Sequence, residues 1–505
     1  MQERVTVDGG ALSRAQVVAV ARHGAGVSVS ADALAAVAAT RAHIERLADA
    51  EAPTYGVSTG FGALATRHIP ADRRTALQRS LIRSHAAGAG PEVETEVVRA
   101  LMLLRLRTLA TARTGVRAGT VEALAAMLDA GITPVVPEHG SLGCSGDLAP
   151  LSAVALALMG EGEVRTKTGL GSAADALAEA GIEPVVLAEK EGLALINGTD
   201  GMLGMLAIAL HDLHTLLDTA DLTAAMSVEA LLGTDRVFAP ELHALRPHPG
   251  QALSAARIRE HLRGSAIVAS HQTPDCTRVQ DAYSLRCAPQ VHGAARDTVA
   301  HAETVADREL SAAIDNPVVL PDGRVESNGN FHGAPVAYVL DFLAIPVADV
   351  ASMAERRTDR MLDTARSHGL PPFLAHDPGV DSGHMIAQYT QAGIVSDLKR
   401  LAAPASVDSI PSSAMQEDHV SMGWSSARKL RKAVDGLATV LAVELLTAAR
   451  ALDLRAPLTP APATAAAVAA LRERVDGPGP DRHLAPEIAA AVDLVRSGDL
   501  LRRNP

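Results

Sequence analysis

The feature that most constrains the fold is that the apolar residues of this 505-residue chain are almost all aliphatic. Hydrophobic residues make up 48% of the sequence but aromatic residues only 2%. Strands favour aromatic and β-branched residues, whereas alanine, leucine and arginine favour helices. We therefore predict a helix-rich, mainly α fold. Its longest helical patterns lie at Met202–Leu231, Val336–Asp363 and Ser425–Asp453.

Turn residues and apolar periodicity predict the shorter elements. Val5–Gly10 has the pattern of a short hairpin strand and turn, and Gly160–Gly171 that of a charged hairpin. The charged run Glu355–Arg360 is interpreted as a solvated or subunit-facing surface. Shorter helical segments are predicted at Ser13–His23, Ser30–Glu51, Ala71–His85, Val93–Leu128 (interrupted near Gly115), Leu151–Met159 and, as two closing helices, within Ala463–Leu501.

Charge and cysteine content argue against several classes of protein. A net charge of −12 without a dense basic run disfavours a nucleic-acid surface. Cys144, Cys276 and Cys287 lack C-x-x-C spacing, so we expect neither a disulfide framework nor a zinc site, and a reducing cytosol suits the chain. No signal peptide is visible at the N-terminus. The apolar helix at Met202–Leu217 carries ionisable side chains, which indicates a core helix rather than a membrane span.

One stretch, Gly140–Leu151, combines three glycines in seven positions with a serine. Glycine permits positive φ, so the amide nitrogen of Gly146 can reach the carbonyl carbon of Cys144. Attack, with loss of water there and from the Ser145 side chain, leaves a five-membered ring with a methylidene group, which is an electrophile. A glycine-rich helix entry is an equally ordinary meaning of such a run. A serine-hydrolase elbow is a weak option, because Asp147 stands where a glycine is needed.

Other polar loops hold residues whose ordinary interpretations are structural. Tyr55 can pack in a turn, and Asn197 can form a helix-entry turn. His85 can be a favourable cation at the negative end of a helix, and Glu417 a favourable acid at the positive end of another. Each of these interpretations stands well when its residue is considered alone.

The polar loops are more informative together. Gln280, Tyr283 and Arg286 are spaced i, i+3 and i+6, so in a helix they project from roughly one face. The segment Gly169–Ala174 only loosely resembles a dinucleotide fingerprint, and no P-loop or H-E-x-x-H pattern occurs. Long helices can bury several polar loops only where the loops converge on a ligand, because buried polar groups need partners. This favours one composite active site.

Seven ordered motifs closely resemble those of the histidine ammonia-lyases, within the family that also includes phenylalanine and tyrosine ammonia-lyases, and the resemblance covers nearly the whole chain. The motifs lie at Tyr55–Gly62, Ser84–Gly88, Gly140–Leu151, Leu195–Thr199, Val279–Cys287, Gly329–His332 and Gln416–Met422. The resemblance implies a long antiparallel helical bundle with a smaller N-terminal loop-rich α region, as in the ammonia-lyase/fumarase-like superfamily. It also implies one integrated catalytic unit, with the cyclising tripeptide and active-site loops in residues 1–200 and the long-helix bundle with its closing helices in residues 201–505.

In that family an Ala-Ser-Gly tripeptide cyclises to a methylidene-imidazolone (MIO) group. Here Cys144 replaces the alanine, which the ring should tolerate because it uses only the carbonyl carbon of that residue. Asp200 stands where the family often has glutamine, and Met415 where asparagine commonly precedes Gln-Glu-Asp-His. Both departures bear on the choice of substrate.

The resemblance also assigns catalytic roles. Cys144, Ser145 and Gly146 would form the electrophile that captures the substrate amino group. Tyr55 would take the β-proton, with Tyr283 orienting it or the amino group.

The remaining assignments concern substrate binding. Arg286 would hold the substrate carboxylate with its planar guanidinium group. Asn197 and Gln280 would orient the substrate carboxylate and the MIO ring. The imidazole would be recognised by His85 and by Glu417, which is also an alternative base; phenylalanine-specific relatives typically have glutamine at the Glu417 position. Further substrate contacts are assigned to Phe331 and Gln416.

The expected activity is the deamination of L-histidine to trans-urocanate and ammonia, the first step of histidine degradation, with no metal and no external cofactor. The alternatives are an ammonia-lyase or 2,3-aminomutase for another aromatic or heteroaromatic amino acid, and an inactive helical scaffold. The resemblance further implies a cytoplasmic homotetramer whose active sites are shared between subunits, with no nucleic-acid or membrane partner.

Overall fold

The computed structural model describes residues 4–48, 59, 69–273, 276 and 279–502. In chain order the helices are α1 (Arg14–Ala21), α2 (Ala31–Ala48), α3 (Arg74–His85), α4 (Thr95–Ala110), α5 (Ala118–Asp129), α6 (Leu148–Leu158), α7 (Ala173–Glu179), α8 (Glu191–Ile196), α9 (Asp200–Ala230), α10 (Pro240–Ala244), α11 (Pro249–His261), α12 (Ala266–Ala269), α13 (Tyr283–Arg286), α14 (Ala288–Glu309), α15 (Ala334–Leu362), α16 (Met385–Leu401), α17 (Gly423–Asp453), α18 (Pro462–Arg472), α19 (Ala485–Ser497) and α20 (Asp499–Arg502). The predicted mainly α fold class is confirmed.

The strands are short. They are β1 (Arg4–Val7), β2 (Gly26–Val29), β3 (Ala89–Glu92), β4 (Thr133–Pro134), β5 (Pro137–His139), β6 (Glu163–Thr166), β7 (Gly169–Ser172), β8 (Val318–Val319) and β9 (Val325–Glu326). Within the described residues they pair as β1-β2, β3-β5, β4-β6-β7 and β8-β9.

One of the two hairpin predictions is confirmed. The predicted hairpin at Gly160–Gly171 corresponds to β6 and β7, which pair antiparallel from Glu163↔Ser172 to Thr166↔Gly169. The hairpin prediction at Val5–Gly10 is wrong, because β1 pairs in parallel with β2. Parallel neighbours need a crossover connection, and α1 supplies it here.

The chain divides into two compact units. The first comprises Met1–His211, Glu303–Leu340 and Ala405–Arg428. In this unit α4 contacts α1, α5, α6 and α8. Its Leu101, Leu103 and Leu106 are fully buried, and burial of each such side chain contributes about 1.5–3 kcal/mol. This packing explains why the long apolar tract after Val93 forms helix, and Gly115, with φ +75°, lies in the predicted interruption before α5.

The second unit comprises Asp212–Ala302, Asp341–Pro404 and Lys429–Pro505. A buried ionic cluster ties α9, α15 and α17 together within it. Glu444 accepts hydrogen bonds of 2.8 Å from Thr223 Oγ1 and from Ser227 Oγ, and one of 2.9 Å from Arg357 Nη2. Arg357 and Glu444 are both 0% exposed. The interpretation of 355–360 as an outer surface is therefore wrong for Arg357, which is a core residue.

Among the described residues, α15 is the helix long and apolar enough to cross a membrane by length and composition. However, 61% of its most apolar window is buried inside the structure. That burial is typical of the core helix of a folded domain. The sequence pattern at Met202–Leu217 predicts a core helix, and the side chains of α9 in that segment are indeed mostly buried.

Candidate active site

The loop between β5 and α6 holds the Cys144-Ser145-Gly146 tripeptide with its backbone pressed against two other segments. Gly143 and Gly146 have φ of +65° and +84°, which favours glycine. A Cβ on Gly146 would overlap the backbone of Gly198, and a Cβ on Gly143 would overlap the Ser421 hydroxyl. Close approach of the chain therefore requires glycine at both positions.

The turn at residues 195–199 is joined to the tripeptide through the backbone. Gly146 and Gly198 form a parallel bridge, and the amide of Asp147 donates to the carbonyl oxygen of Gly198 at 2.8 Å. Arg105, which is fully buried, fixes the same turn because its Nη1 donates to the carbonyls of Ala194 at 3.0 Å and Asn197 at 3.1 Å. These contacts explain why the motif Leu195–Thr199 occurs together with the tripeptide motif in this chain, since the two segments pack against each other.

Asp200, one of the departures from the family pattern, has a structural role. Its Oδ2 accepts from Nε of Arg105 at 3.1 Å, and both side chains are almost completely buried. A buried arginine needs a charged partner, and Asp200 supplies it.

Asn197 belongs to the same network, because its backbone carbonyl accepts from Arg105. Its side-chain Nδ2 donates to the carbonyl oxygen of Asn316 at 2.9 Å. The Asn197 Oδ1 is buried and has no hydrogen-bond partner within the described part of the chain.

Asp147 is a residue whose importance the sequence did not reveal. Its buried carboxylate accepts from Ser141 Oγ and from the amides of Gly201 and Met202, each at 2.9 Å. These amides belong to the first turn of α9, where backbone N–H groups lack helical partners. Burial raises the pKa of Asp147 to about 7, although the three hydrogen bonds act to lower it. Asp147 thus anchors the tripeptide loop to the start of α9.

Glu417 faces the tripeptide. Ser145 Oγ donates to Glu417 Oε1 at 3.4 Å, and Ser412 Oγ donates to Glu417 Oε2 at 2.8 Å. Cys144 is 9% exposed, and burial, followed by the nearby Glu417 carboxylate, raises the pKa of its thiol to about 12. The thiol therefore stays protonated at neutral pH. The structure therefore brings Glu417 and the tripeptide next to each other.

The segment after Glu417 is fastened to the tripeptide loop by further hydrogen bonds. The amide of Met422 donates to the carbonyl of Leu142 at 2.9 Å, and Ser421 Oγ donates to the carbonyl of Gly143 at 3.0 Å. Nε1 of the single tryptophan, Trp424, donates to the carbonyl of Glu138 at 2.7 Å. These hydrogen bonds therefore fix two segments that are nearly 300 residues apart in the sequence against each other.

Two other site candidates lie in the same unit. His85 is the last residue of α3, and its Nδ1 lies 2.9 Å from the carbonyl of Leu81. A proton on Nδ1 makes that hydrogen bond and leaves Nε2 as an acceptor. Phe331 is half-buried and precedes His332, whose ring stacks on His419 at 5.6 Å with an angle of 6° between the planes. This stack joins the Phe331 loop to the Glu417 segment, in which Gln416 is exposed.

The remaining candidates belong to the second unit or lie outside the described residues. Gln280, Tyr283 and Arg286 belong to the second unit. The helix there is only Tyr283–Arg286 and Gln280 precedes it, so the three do not share one helix face as the spacing suggested. The guanidinium of Arg286 lies over the Tyr283 ring, 4.6 Å from its centroid, and Tyr283 is 71% exposed. Tyr55 lies outside the described residues.

The described residues contain no group of three or more histidine, cysteine or acidic side chains placed to hold a metal ion. The glycine-dependent fold of residues 143–146, the buried Asp147 anchor and the facing Glu417 fit a loop that converts its own backbone into a reactive group.

The chain belongs to the aromatic amino acid lyase family, whose sequence profile matches residues 12–473. Enzymes of this family are carbon–nitrogen lyases and in general carry an MIO group. The chain is 66% identical over 499 residues to the histidine ammonia-lyase of Streptomyces coelicolor, covering 98% of this chain and 97% of that protein. It is 67% identical over 489 residues to the histidine ammonia-lyase of Streptomyces griseus, covering 96% and 95%.

Solved structures show the same fold. A tyrosine aminomutase from Streptomyces globisporus matches with a TM-score of 0.93 at 39% identity, covering 99% of this chain and 98% of that one. The histidine ammonia-lyase of Trypanosoma cruzi matches with a TM-score of 0.91 at 39% identity, covering 99% and 94%.

Proposed function

We propose that the protein is a histidine ammonia-lyase, which converts L-histidine to trans-urocanate and ammonia as the first step of histidine degradation. The observation that carries the proposal is the Glu417 carboxylate beside Ser145 of the tripeptide. A carboxylate can accept an imidazole N–H, whereas an apolar phenyl ring offers no such donor. Two curated relatives that are 66% and 67% identical bear the same name.

The electrophile would form from the chain itself. The Gly146 amide nitrogen bonds to the Cys144 carbonyl carbon. The carbonyl oxygen leaves as water with one proton from the Gly146 nitrogen and one from the Ser145 nitrogen, which leaves a carbon–nitrogen double bond in the ring. Ser145 then loses its Cα hydrogen and its hydroxyl as a second water. The positive φ of Gly146 and its packing on Gly198 support this, because they leave no space for a Cβ. The cysteine side chain stays on the Cα of Cys144, just outside the ring, as a thiomethyl branch.

When formed, the MIO group supplies an electron-poor centre for the substrate amino group. The chain's own residues would do the rest. Arg286 would bind the substrate carboxylate in a bidentate manner. Asn197 would help to orient the carboxylate and the MIO group, and its buried Oδ1 has no hydrogen-bond partner among the described residues. Gln280 would assist in orienting the substrate carboxylate and the MIO ring.

The substrate ring would lie between two acceptors, which match the two N–H groups of its protonated, imidazolium form. His85 has an acceptor nitrogen if its Nδ1 proton is bonded to Leu81, and Glu417 accepts from the other side. Phe331 would wall the ring. Tyr55 would remove the β-proton, and Tyr283 would orient either Tyr55 or the substrate amino group. Glu417 is the alternative base. Gln416 would add a further polar contact to the substrate.

Substitution of Glu417 by glutamine tests the substrate directly. We expect Glu417→Gln to lower kcat/KM for L-histidine by about 10- to 100-fold, because a charge-assisted hydrogen bond contributes about 1.5–3 kcal/mol. The assay follows the absorbance of the conjugated product and the ammonia released, with L-histidine, L-tyrosine and L-phenylalanine. Glu241→Gln, at an exposed position, is the control. Wild-type protein that ignores histidine and deaminates tyrosine or phenylalanine contradicts the proposal.

A second function is favoured by one observation, the TM-score of 0.93 to a tyrosine aminomutase. The alternative is therefore a lyase or 2,3-aminomutase acting on another aromatic or heteroaromatic amino acid. Formation of a β-amino acid, detected by chromatography of the reaction mixture, would support it. An inactive helical scaffold is the non-enzymatic alternative, and it predicts a chain of unmodified mass.

We also propose a homotetramer with active sites shared between subunits, located in the cytoplasm. Tyr283, a candidate site residue, is 71% exposed in the single chain. On α15, Tyr338, Phe342 and Ile345 are 60%, 46% and 49% exposed and follow helical spacing, which suits a subunit contact. The organisation of the catalytic unit as residues 1–200 and 201–505 stays a prediction.

A further inference from the structure

We infer that Ser412 is a positioning residue that holds the Glu417 carboxylate towards the reacting centre; the inference rests on the proposed function of this site. Ser412 Oγ donates to Glu417 Oε2 at 2.8 Å. The same two residues exchange backbone hydrogen bonds, Ser412 N to Glu417 O at 2.9 Å and Glu417 N to Ser412 O at 3.3 Å. Backbone and side chain of Glu417 are therefore tied to one neighbour.

The turn enclosed by this pair is strained. Ser413, Ala414 and Met415 have φ of +50°, +52° and +68°, and the left-handed conformation costs roughly 1–2 kcal/mol for each non-glycine residue. Such conformations persist where surrounding contacts determine them, and they cluster at functional sites. The Ser412–Glu417 hydrogen bonds are the contacts that close this turn.

The two carboxylate oxygens of Glu417 have separate partners. Oε2 receives the Ser412 hydroxyl and Oε1 the Ser145 hydroxyl. Formation of the ring removes the Ser145 hydroxyl as water, so Ser412 is the hydroxyl donor of this pair that remains. The terminal torsion of a glutamate is broad. A donor on one oxygen restricts it and directs the other oxygen to the place where the Ser145 hydroxyl stood.

The test is a double-mutant cycle in the full-length enzyme. We expect Ser412→Ala to lower kcat/KM by about 10- to 100-fold, with the loss on the same kinetic parameter, kcat or KM, as in Glu417→Ala. The double variant should be no worse than Glu417→Ala alone, because Ser412 acts through that carboxylate. Ser412→Thr, which keeps a hydroxyl, should recover most of the activity. Ser413→Ala, at an exposed neighbour, should behave as wild type.

Losses that multiply in the double variant, or a Ser412→Ala enzyme with wild-type kinetics, overturn the inference. If Ser412→Ala does not fold, Ser412→Cys replaces it, with a weaker donor and a smaller expected loss. Crystal structures of the wild type and the Ser412 variant provide a readout that needs no turnover: an unmoved Glu417 carboxylate overturns the inference. Wild-type enzyme that is specific for another amino acid refutes the histidine proposal alone, and the cycle is then run with that substrate.

Discussion

Asp147 provides a prediction whose size follows from the structure. Burial raises the pKa of this fully buried carboxyl from 3.8 to about 7. Because the folded-state value is the higher one, the protonated form is favoured by folding, and the associated stability is present below pH 3.8 and lost as the pH rises through 7. Each pKa unit corresponds to about 1.4 kcal/mol. The whole loss is therefore about 4 kcal/mol, of which about 2–3 kcal/mol falls between pH 5 and pH 8.

The perturbation is Asp147→Asn, which keeps the size of the side chain and removes its ionisation. Unfolding of both proteins by denaturant is followed at several pH values from 5 to 8. Loss of hydrogen-bond acceptors shifts the variant by a constant amount, so the informative quantity is how the difference changes with pH. We expect the wild type to lose about 2–3 kcal/mol relative to the variant over this range. Asp72→Asn, at an exposed position, is the control. A difference that does not change with pH refutes the reasoning.

The remaining predictions concern stability. Arg357→Ala should destabilise the fold by about 3–5 kcal/mol, because it leaves Glu444 buried without its charged partner, whereas Arg356→Ala, at a side chain that is 54% exposed, should change the unfolding midpoint little. Met415→Asn should stabilise the protein by about 1 kcal/mol, measured by denaturant unfolding, because asparagine tolerates positive φ better; no gain would argue against strain in this turn. Burial lowers the pKa of His384 to about 3, so its stabilising contribution is present above pH 6.5 and is lost as the pH falls towards 3. His384→Gln should therefore flatten the fall in thermal midpoint with acid, and an unchanged acid dependence would contradict this.

Helices with one persistent apolar face could be predicted from the sequence. The patterns beginning at Met202, Val336 and Ser425 correspond to α9, α15 and α17, with boundaries shifted by one or two residues. Pairing of distant strands could not be predicted, because β1 has no local signal for its parallel partner β2. The burial of Arg357 could not be predicted either. A run of charged residues indicates an exposed surface unless its buried ion-pair partner, here Glu444, is known.

The site shows a similar division. The glycines of the tripeptide loop could be picked out because their residue types match a specific chemistry, whereas Glu417 was identified through the resemblance of its motif to the ammonia-lyase family. Asp147 and the Arg105–Asp200 pair were missed, because their roles depend on hydrogen bonds to the starts of helices and turns far along the chain. A signal for Asp147 was present in its position directly before α6, at the end of the glycine-rich loop.

The most direct measurement is the intact mass of freshly purified wild-type protein beside that of Ser145→Ala. Cyclisation of residues 144–146 predicts a wild-type mass lower than the sequence mass by two water molecules, and an unmodified mass for the variant. A wild-type chain with the full mass of its sequence would contradict the account.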